Sequence, residues 1–237
     1  MLTLEKNNLL DKEIDLNVIK HYEKERLIIN SIDSKLSYLE KKVRIYIMDY
    51  IIEEKRPYNL KNLDYNFIRN IGVTKDEFIN IVLSLKNKKV LVMDEKENIN
   101  FIYPVSAFDT NYKVKLEDGR EINAMCAVDS IGTAFTFKQN IKIESSCIMC
   151  NDSIEVIIEN GEIKKCIPEN LRVLHVDLNK NNSWASSCWN IMYFFCSEEH
   201  YRNWVKESNI DEDNIFCLDI KEAVCVAKML FSVTDLK

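Results

Sequence analysis

The sequence predicts an α+β protein in which an N-terminal helical module of winged-helix type precedes a mixed domain of β-sheet and helices. Three observations support this fold class. Apolar residues recur at three- and four-residue steps from 36 to 51, strand patterns separated by polar turns dominate from about 89 onward, and all eight cysteines lie in the second half of the chain. We therefore divide the chain into an N-terminal extension or lead helix (1–35), the winged-helix-like module (36–104) and a C-terminal domain (105–237).

The composition is that of an ordinary globular protein. The chain has 237 residues, of which 46% are hydrophobic and 30% charged, and its formal net charge is −6. An acidic chain lacks the broad positive surface that binds a phosphate backbone, so nucleic acid is a disfavoured partner. No run reaches the roughly 18 apolar residues that span a bilayer, and the N-terminus lacks the order of a signal peptide. These features predict a cytoplasmic protein that does not engage a membrane.

The first two regions contain most of the predicted helix. The highly charged residues up to about 35 have weak helical periodicity. The apolar stripe at 36–51 predicts a helix with one buried face. Thr74 followed by Glu77 forms a capping-box pattern, which predicts that a further helix begins at 75 and runs to about 85.

A hairpin is predicted after these helices. Strand patterns at 89–93 and 98–102 flank a polar turn, and three helices followed by a hairpin are typical of a winged helix. Such modules often bind DNA, but Asp76 and Glu77 stand at the leading end of the second helix of the turn motif, where base contacts are made. Two carboxylates there repel phosphate, which disfavours a transcription factor.

The C-terminal domain begins with a second hairpin. Strand patterns at 112–116 and 121–124 flank a turn that contains Asp118-Gly119, and Asp-Gly is a strong hairpin signal. The hairpin leads directly into a predicted helix from about 126 to 135. Further strands are predicted at 141–144, 154–158 and 171–176, a strand or buried segment at 189–195, and a helix capped by Ser197.

Clustered thiols are the main chemical feature of this domain. In a cytosolic chain, such thiols more often serve metal or redox chemistry than a disulfide framework. Cys126 and Asp129 are three positions apart, so on one helix their side chains leave the same face. Cys188, some sixty residues further on, would add a second thiolate, the ligand class that soft metals select. Alternatively, Cys126 is a core residue with Asp129 at its rim, since cysteine is among the most often buried residues.

Four short segments carry a resemblance to a known family. They are 124–130 (Ala-Met-Cys-Ala-Val-Asp-Ser), 143–147 (Ile-Glu-Ser-Ser-Cys), the Ser-Cys pair at 187–188, and the aromatic run at 193–195 before a Trp-bearing helix. In order and spacing, roughly residues 110–205 resemble the organomercurial (alkylmercury) lyases, and the preceding winged-helix-like region also fits that family. The resemblance implies that the C-terminal domain has the fold of an alkylmercury lyase catalytic domain.

The resemblance also implies a reaction and the residues that carry it out. In the family, two cysteines and one aspartate act together, and they match Cys126, Cys188 and Asp129. One thiol, deprotonated with help from Asp129, attacks the mercury of an organomercurial, and the second thiol then adds to the metal. Asp129 delivers its proton to the departing carbon, giving a hydrocarbon and a mercury ion held by two sulfurs. Small thiols or a thiol-bearing acceptor protein would remove the metal, in a detoxification reaction that requires no cofactor.

A second group of candidate ligands departs from the better-known members of the family. Cys147 matches a family cysteine regarded as structural, but here Cys150 follows it, and Cys196 precedes His200 by four positions. Two close-spaced pairs separated by a long loop fit a tetrahedral Cys3His structural zinc site. Alternatively, Cys147 and Cys150 are core residues and His200 lies on a helix surface. Met125 stands where relatives often have an aromatic residue, which would alter the pocket and the substrate range.

Two functions follow from these residues. The first is a carbon–metal lyase that uses Cys126, Cys188 and Asp129. The second is a non-catalytic thiol-based metal-binding protein, a sensor or carrier, that uses the two cysteines with or without the second ligand group. Asp129 favours the lyase, because a chelator has no need of a proton donor beside its thiol. In the metal-binding alternative, Asp129 is only a polar residue on the solvent-facing side of the helix.

Overall fold

The computed structural model describes residues 14–180 and 191–233, which form seven α-helices and twelve β-strands. The predicted α+β class is therefore confirmed. None of the helices in these two ranges is both long and apolar enough to cross a bilayer. The helices are α1 (Lys24–Leu27), α2 (Tyr38–Glu54), α3 (Tyr65–Asn70), α4 (Lys75–Asn87), α5 (Ala127–Phe137), α6 (Glu198–Ser208) and α7 (Ile220–Phe231). The strands are β1 (Tyr58–Asn59), β2 (Leu91–Met93), β3 (Asn98–Ile102), β4 (Val105–Ser106), β5 (Lys113–Leu116), β6 (Glu121–Ala124), β7 (Ile141–Ser146), β8 (Ser153–Glu159), β9 (Glu162–Ile167), β10 (Arg172–Val176), β11 (Phe194–Phe195) and β12 (Ile215–Asp219).

Helix α2 lies at the centre of the N-terminal half. Its apolar stripe buries Val43, Ile47 and Ile51, as the three- and four-residue spacing predicted. The helix begins with a capping box formed by Ser37 and Glu40, which provides partners for backbone groups that a helix start leaves unbonded. The predicted helix at 36–51 is thus present and extends three residues further.

Helix α4 begins where the capping-box pattern placed it. The Thr74 hydroxyl accepts a hydrogen bond from the Glu77 amide at 3.3 Å, and the Glu77 carboxylate accepts one from the Thr74 amide at 2.7 Å. The buried side chains of α4 are Phe78, Val82 and Leu85, and the helix packs against α2. The pattern of one local motif therefore predicted the start of this helix correctly.

A sheet of nine strands connects the two halves of the described structure. Its order is β1-β3-β4-β6-β5-β7-β8-β9, with β2 paired to β3. The strand patterns at 89–93 and 98–102 correspond to β2 and β3, and β3 pairs with β4, which pairs with β6. The first hairpin is thus continuous with the sheet that carries the second. The order of helices and hairpin matches the predicted one, whereas the winged-helix class and the division of the chain at 35 and 104 stay predictions.

The hairpin β5–β6 directly precedes helix α5 in the chain. Its turn contains Gly119 with a φ of 91°, a left-handed conformation that glycine adopts without steric cost. Strand β6 ends at Ala124, whose amide donates to the Tyr112 carbonyl at 2.9 Å. Helix α5 begins at Ala127. The predicted hairpin and helix are both present, and the helix runs over 127–137 instead of about 126–135.

A second sheet, β11-β10-β12, and helix α7 pack beside α5. The two helices approach closely at Gly132, where an added Cβ would lie 2.2 Å from Cδ2 of Phe231. Only a residue without a side chain permits this approach. Helix α5 is therefore enclosed between the large sheet and α7.

Residues 14–35 lie against the C-terminal half of the molecule. Their helical structure consists of α1 and two short 3-10 turns. Leu27 is buried, and the Ile32 amide donates to the Leu230 carbonyl of α7 at 2.9 Å. Arg26 forms an ion pair with buried Asp177 at 3.1 Å. This segment is therefore packed into the fold along much of its described length.

Candidate active site

Cys126 and Asp129 form a hydrogen-bonded pair at the start of helix α5. The Cys126 thiol donates to the Asp129 carboxylate, with Sγ and Oδ2 2.7 Å apart. The Asp129 amide donates to the same sulfur at 3.4 Å. The two residues are 0% and 2% exposed. The structure therefore brings these two predicted site residues into direct contact, away from solvent.

The contact arises from the start of the helix and not from a shared helix face. The sequence predicted both residues inside the helix, but Cys126 is the N-cap residue, with extended backbone at a φ of −151°. An N-cap side chain bonds to the amide of the third helical residue, and Asp129 holds that position. Because Ser, Thr, Asp and Asn are the usual cap residues, a cysteine cap is hard to recognise in a sequence.

Backbone hydrogen bonds hold the start of α5 in position. The Ala127 amide donates to the Met192 carbonyl at 3.0 Å. The Tyr112 hydroxyl donates to the same carbonyl at 3.5 Å. Sequence reasoning missed Tyr112, because nothing in the local pattern distinguishes it from the other aromatic residues of the domain. Both contacts fix the segment after residue 191 to the site.

The pair is arranged to hold and to transfer a proton. Burial raises the pKa of Asp129 to about 7, and the hydrogen bond from Cys126 lowers it only in part. Burial and the neighbouring Asp129 carboxylate raise the pKa of the Cys126 thiol well above its usual range. At neutral pH the Cys126 thiol therefore keeps its proton, and Asp129 is able both to accept a proton and to release one.

Cys126 and Asp129 border a small cavity with mostly apolar walls. The apolar walls lower the local dielectric, which strengthens the interactions of charges at this position. The cavity is built from segments that are far apart in the sequence. Its other walls include Ile32, Tyr103, Met192, Leu230 and Phe231.

Cys188, the third predicted catalytic residue, lies outside the described residues. The structure describes the chain up to Lys180 and again from Ile191. It therefore brings together two of the three predicted residues, Cys126 and Asp129. The role of Cys188 stays a prediction based on the family resemblance.

The second predicted ligand group, Cys147, Cys150, Cys196 and His200, also comes together. Its ligand atoms all lie within 4.8 Å of one another. Sγ of Cys147 is 3.5 Å from Nδ1 of His200, and Sγ of Cys150 is 3.7 Å from Sγ of Cys196. Cys147 is buried but Cys150 is exposed, so the alternative in which both are core residues is wrong.

The surroundings of Cys147 favour its thiolate. Burial raises the pKa of this thiol, but hydrogen bonds from the backbone amides of Cys196, Cys150 and Met149 and from His200 outweigh burial and bring the pKa to about 6. The Cys196 amide lies 3.4 Å from the sulfur. Donors directed at a sulfur stabilise its charged form, which is the form that binds metals.

The family of this α+β protein, with its buried thiol–carboxylate pair, follows from comparison with known proteins. The family model of MerB, alkylmercury lyase, matches residues 105–232, which is more than half of the chain. The chain therefore belongs to the alkylmercury lyase family, and the assignment made from its sequence motifs is confirmed.

A solved structure shares the fold. The protein in the crystal structure of the mercury-bound form of MerB2 aligns with 84% of this chain and 92% of its own, at a TM-score of 0.66 and 19% sequence identity. At this identity the likeness extends to the fold alone. No curated protein matches the chain significantly.

Proposed function

We propose that this chain cleaves the carbon–mercury bond of organomercurials by protonolysis, giving a hydrocarbon and a thiol-bound mercury ion. The observation that carries this proposal is the buried hydrogen bond of 2.7 Å between Cys126 Sγ and Asp129 Oδ2. A thiol that only bound a metal would not need a carboxylate with a pKa of about 7 beside it. Membership in the alkylmercury lyase family supports the same reaction.

Capture of the metal is the first step. Cys126 transfers its proton to the Asp129 carboxylate, and the resulting thiolate forms a bond to the mercury of R–Hg⁺. The proton moves along a hydrogen bond that is already present, so the proton transfer itself requires no rearrangement of α5. A metal-bound thiol is deprotonated outright, so the bond to mercury overcomes the raised pKa of Cys126.

Cleavage of the carbon–mercury bond is the second step. A second thiolate, assigned to Cys188 by the family resemblance, adds to the mercury and increases the electron density on the departing carbon. Protonated Asp129 gives its proton to that carbon, and the electron pair of the C–Hg bond forms the new C–H bond. R–H leaves, mercury(II) stays on the two sulfurs, and the proton of the second thiol passes to solvent.

Removal of the mercury product completes the proposed reaction. Small thiols or a thiol-bearing acceptor protein remove the mercury, and the reaction serves detoxification in the cytoplasm without a cofactor.

Residues 36–104 form a winged-helix-like module, an assignment that the order of α2, α3, α4 and the β2–β3 hairpin supports. We do not assign DNA binding to this module, because Asp76 and Glu77 occupy the first turn of α4.

Cleavage of methylmercury and phenylmercury in excess small thiol tests the proposed reaction. We expect the wild-type protein to release methane and benzene, measured by gas chromatography. Asp129→Asn should release them about 10²–10⁴-fold more slowly, because an amide cannot deliver the proton. Glu40→Gln is the matched control, since Glu40 is a buried carboxylate of α2 that bonds Ser84 and Lys88. It should leave hydrocarbon release unchanged.

A non-catalytic metal sensor or carrier is the second candidate function. The observation that favours it is the complete burial of Cys126 beside a small cavity, which suits retention of a metal. In that case wild-type protein and Asp129→Asn would bind mercury(II) equally, and neither would release hydrocarbon. Release by the wild type no faster than by Asp129→Asn would therefore reject the lyase in favour of this candidate.

A further inference from the structure

A compact group of metal-ligand atoms lies outside the catalytic pair. Cys147 and Cys150 come from the turn between β7 and β8, whereas Cys196 and His200 lie at the start of α6. We propose that these four residues bind one Zn²⁺ in a closed, structural Cys3His site. The inference does not depend on the proposed lyase activity.

Two of the distances within the group match those of a tetrahedron around zinc. Zinc–sulfur bonds of about 2.3 Å and tetrahedral angles place two sulfurs about 3.8 Å apart, and a sulfur and an imidazole nitrogen about 3.6 Å apart. Cys150 Sγ lies 3.7 Å from Cys196 Sγ, and Cys147 Sγ lies 3.5 Å from His200 Nδ1. No two of the four ligand atoms are more than 4.8 Å apart. One ion between them therefore reaches all four with small adjustments.

The backbone holds both ligand pairs in place. The Asn151 amide donates to the Cys147 carbonyl at 2.9 Å, and Asn151 has a φ of 62°. This turn brings Cys150 back towards Cys147. Helix α6 starts between Cys196 and His200, so about one helical turn separates these two ligands. Each pair is thus positioned by local structure before any metal binds.

A divalent cation would balance the charge of three neighbouring thiolates. Zinc displaces the protons of its thiol ligands when it binds, so the three sulfurs become thiolates only together with the ion. The Cys196 amide, 3.4 Å from Cys147 Sγ, adds a donor that stabilises a thiolate. Structural zinc sites have four protein ligands, whereas catalytic zinc sites keep one position open. A site with four protein ligands is therefore structural and has no open position for a substrate.

The ion would join the β7–β8 turn to the segment that reaches the catalytic pair. Near the proposed ion, the Ile148 amide donates to the Phe194 carbonyl at 3.3 Å. Near the catalytic pair, the Met192 carbonyl accepts from the Ala127 amide at 3.0 Å. Residues 192–196 thus run from the start of α5 to the metal ligands. Zinc fixes one end of this short segment, and α5 fixes the other.

The metal content of protein purified without chelator tests the site. We expect about one zinc per wild-type chain, measured by inductively coupled plasma mass spectrometry, and loss of the zinc in Cys150→Ser. Cys166→Ser is the matched control, because Cys166 is half-buried, donates to the Pro168 carbonyl and is outside the group, so its zinc should stay. Cobalt(II) should replace the zinc and give the absorption bands of a tetrahedral thiolate site in the wild type but not in Cys150→Ser.

Two results would overturn the zinc site. One is less than about 0.2 equivalents of zinc in the wild type, and the other is equal zinc in the wild type and Cys150→Ser. Asp129→Asn separates this proposal from the proposed reaction, because that variant should lose hydrocarbon release and keep its zinc. Failure of the lyase activity and failure of the zinc site are therefore distinguishable.

Discussion

At the scale of single residues, the proposed reaction depends on one thiol and one carboxylate that share a hydrogen bond away from water. Burial alone would make Cys126 an inert core cysteine, and it would make an isolated Asp129 costly. In the proposed reaction, their contact lets the carboxylate accept the proton that the sulfur loses when it binds the metal. The sequence predicted this contact from a spacing of three residues. It did not predict the cap geometry, because sulfur is not the usual acceptor at a helix start.

The dependence of kcat/KM on pH should report the ionisation of Asp129. The free protein needs an ionised carboxylate to accept the proton of Cys126, and burial raises the pKa of Asp129 to about 7. We expect kcat/KM for phenylmercury to fall about tenfold per pH unit below this value and to level off above it. Benzene release measured from about pH 5 to 9 checks this. If kcat/KM of Asp129→Asn showed the same fall at low pH, the ionisation of another group would cause the pH dependence.

At the scale of elements, local signals predicted several helices and strands, although the capping box of Asp219 and Glu222 that begins α7 was missed. The Thr74–Glu77 box marked the start of α4, and Asp118-Gly119 marked the β5–β6 turn. Strands β1 and β4 were missed because two residues each are too few to show an alternation. Strand β9 was missed because most of its side chains are exposed, which hides the apolar period of a strand.

The contact between α5 and α7 should be sensitive to a single methyl group. In Gly132→Ala the new Cβ would lie 2.2 Å from Cδ2 of Phe231, so the Phe231 ring or one of the two helices must shift. We expect a loss of about 1–3 kcal/mol in the free energy of unfolding, measured by urea denaturation. Combining Gly132→Ala with Phe231→Leu should recover part of the loss. A Gly132→Ala protein as stable as the wild type would contradict this packing.

At the scale of the whole molecule, segments that are distant in the sequence enclose the site. The cavity beside Cys126 and Asp129 combines Ile32 from the N-terminal segment, Met192 and the end of α7. Periodicity shows which face of an element is buried, but it does not show which other element covers that face. The Cys147–His200 group is different, since its residue types and spacings pointed to a shared site before the fold was known.

Residues 14–35 should contribute to global stability as part of the fold. Leu27 is 0% exposed and its neighbour Ile28 is 45% exposed, so the two positions form a matched pair. We expect Leu27→Ala to lower the free energy of unfolding by about 2–5 kcal/mol. Ile28→Ala should change it by less than about 0.5 kcal/mol. Equal effects in urea denaturation would show that this segment does not pack as described.

The sulfur that caps α5 is also the sulfur proposed to bind mercury, and this double use offers a way to observe metal binding. The Asp129 amide donates to Cys126 Sγ, so a metal on that sulfur alters the electron density that the amide senses. The ¹⁵N–¹H resonance of Asp129 should therefore move as mercury is loaded. The Glu77 amide donates to the Thr74 hydroxyl at the equivalent position of α4 and should keep its frequency as an internal reference. The amide resonance of Asp129 should thus report the fraction of protein that carries mercury, without any measurement of the hydrocarbon product.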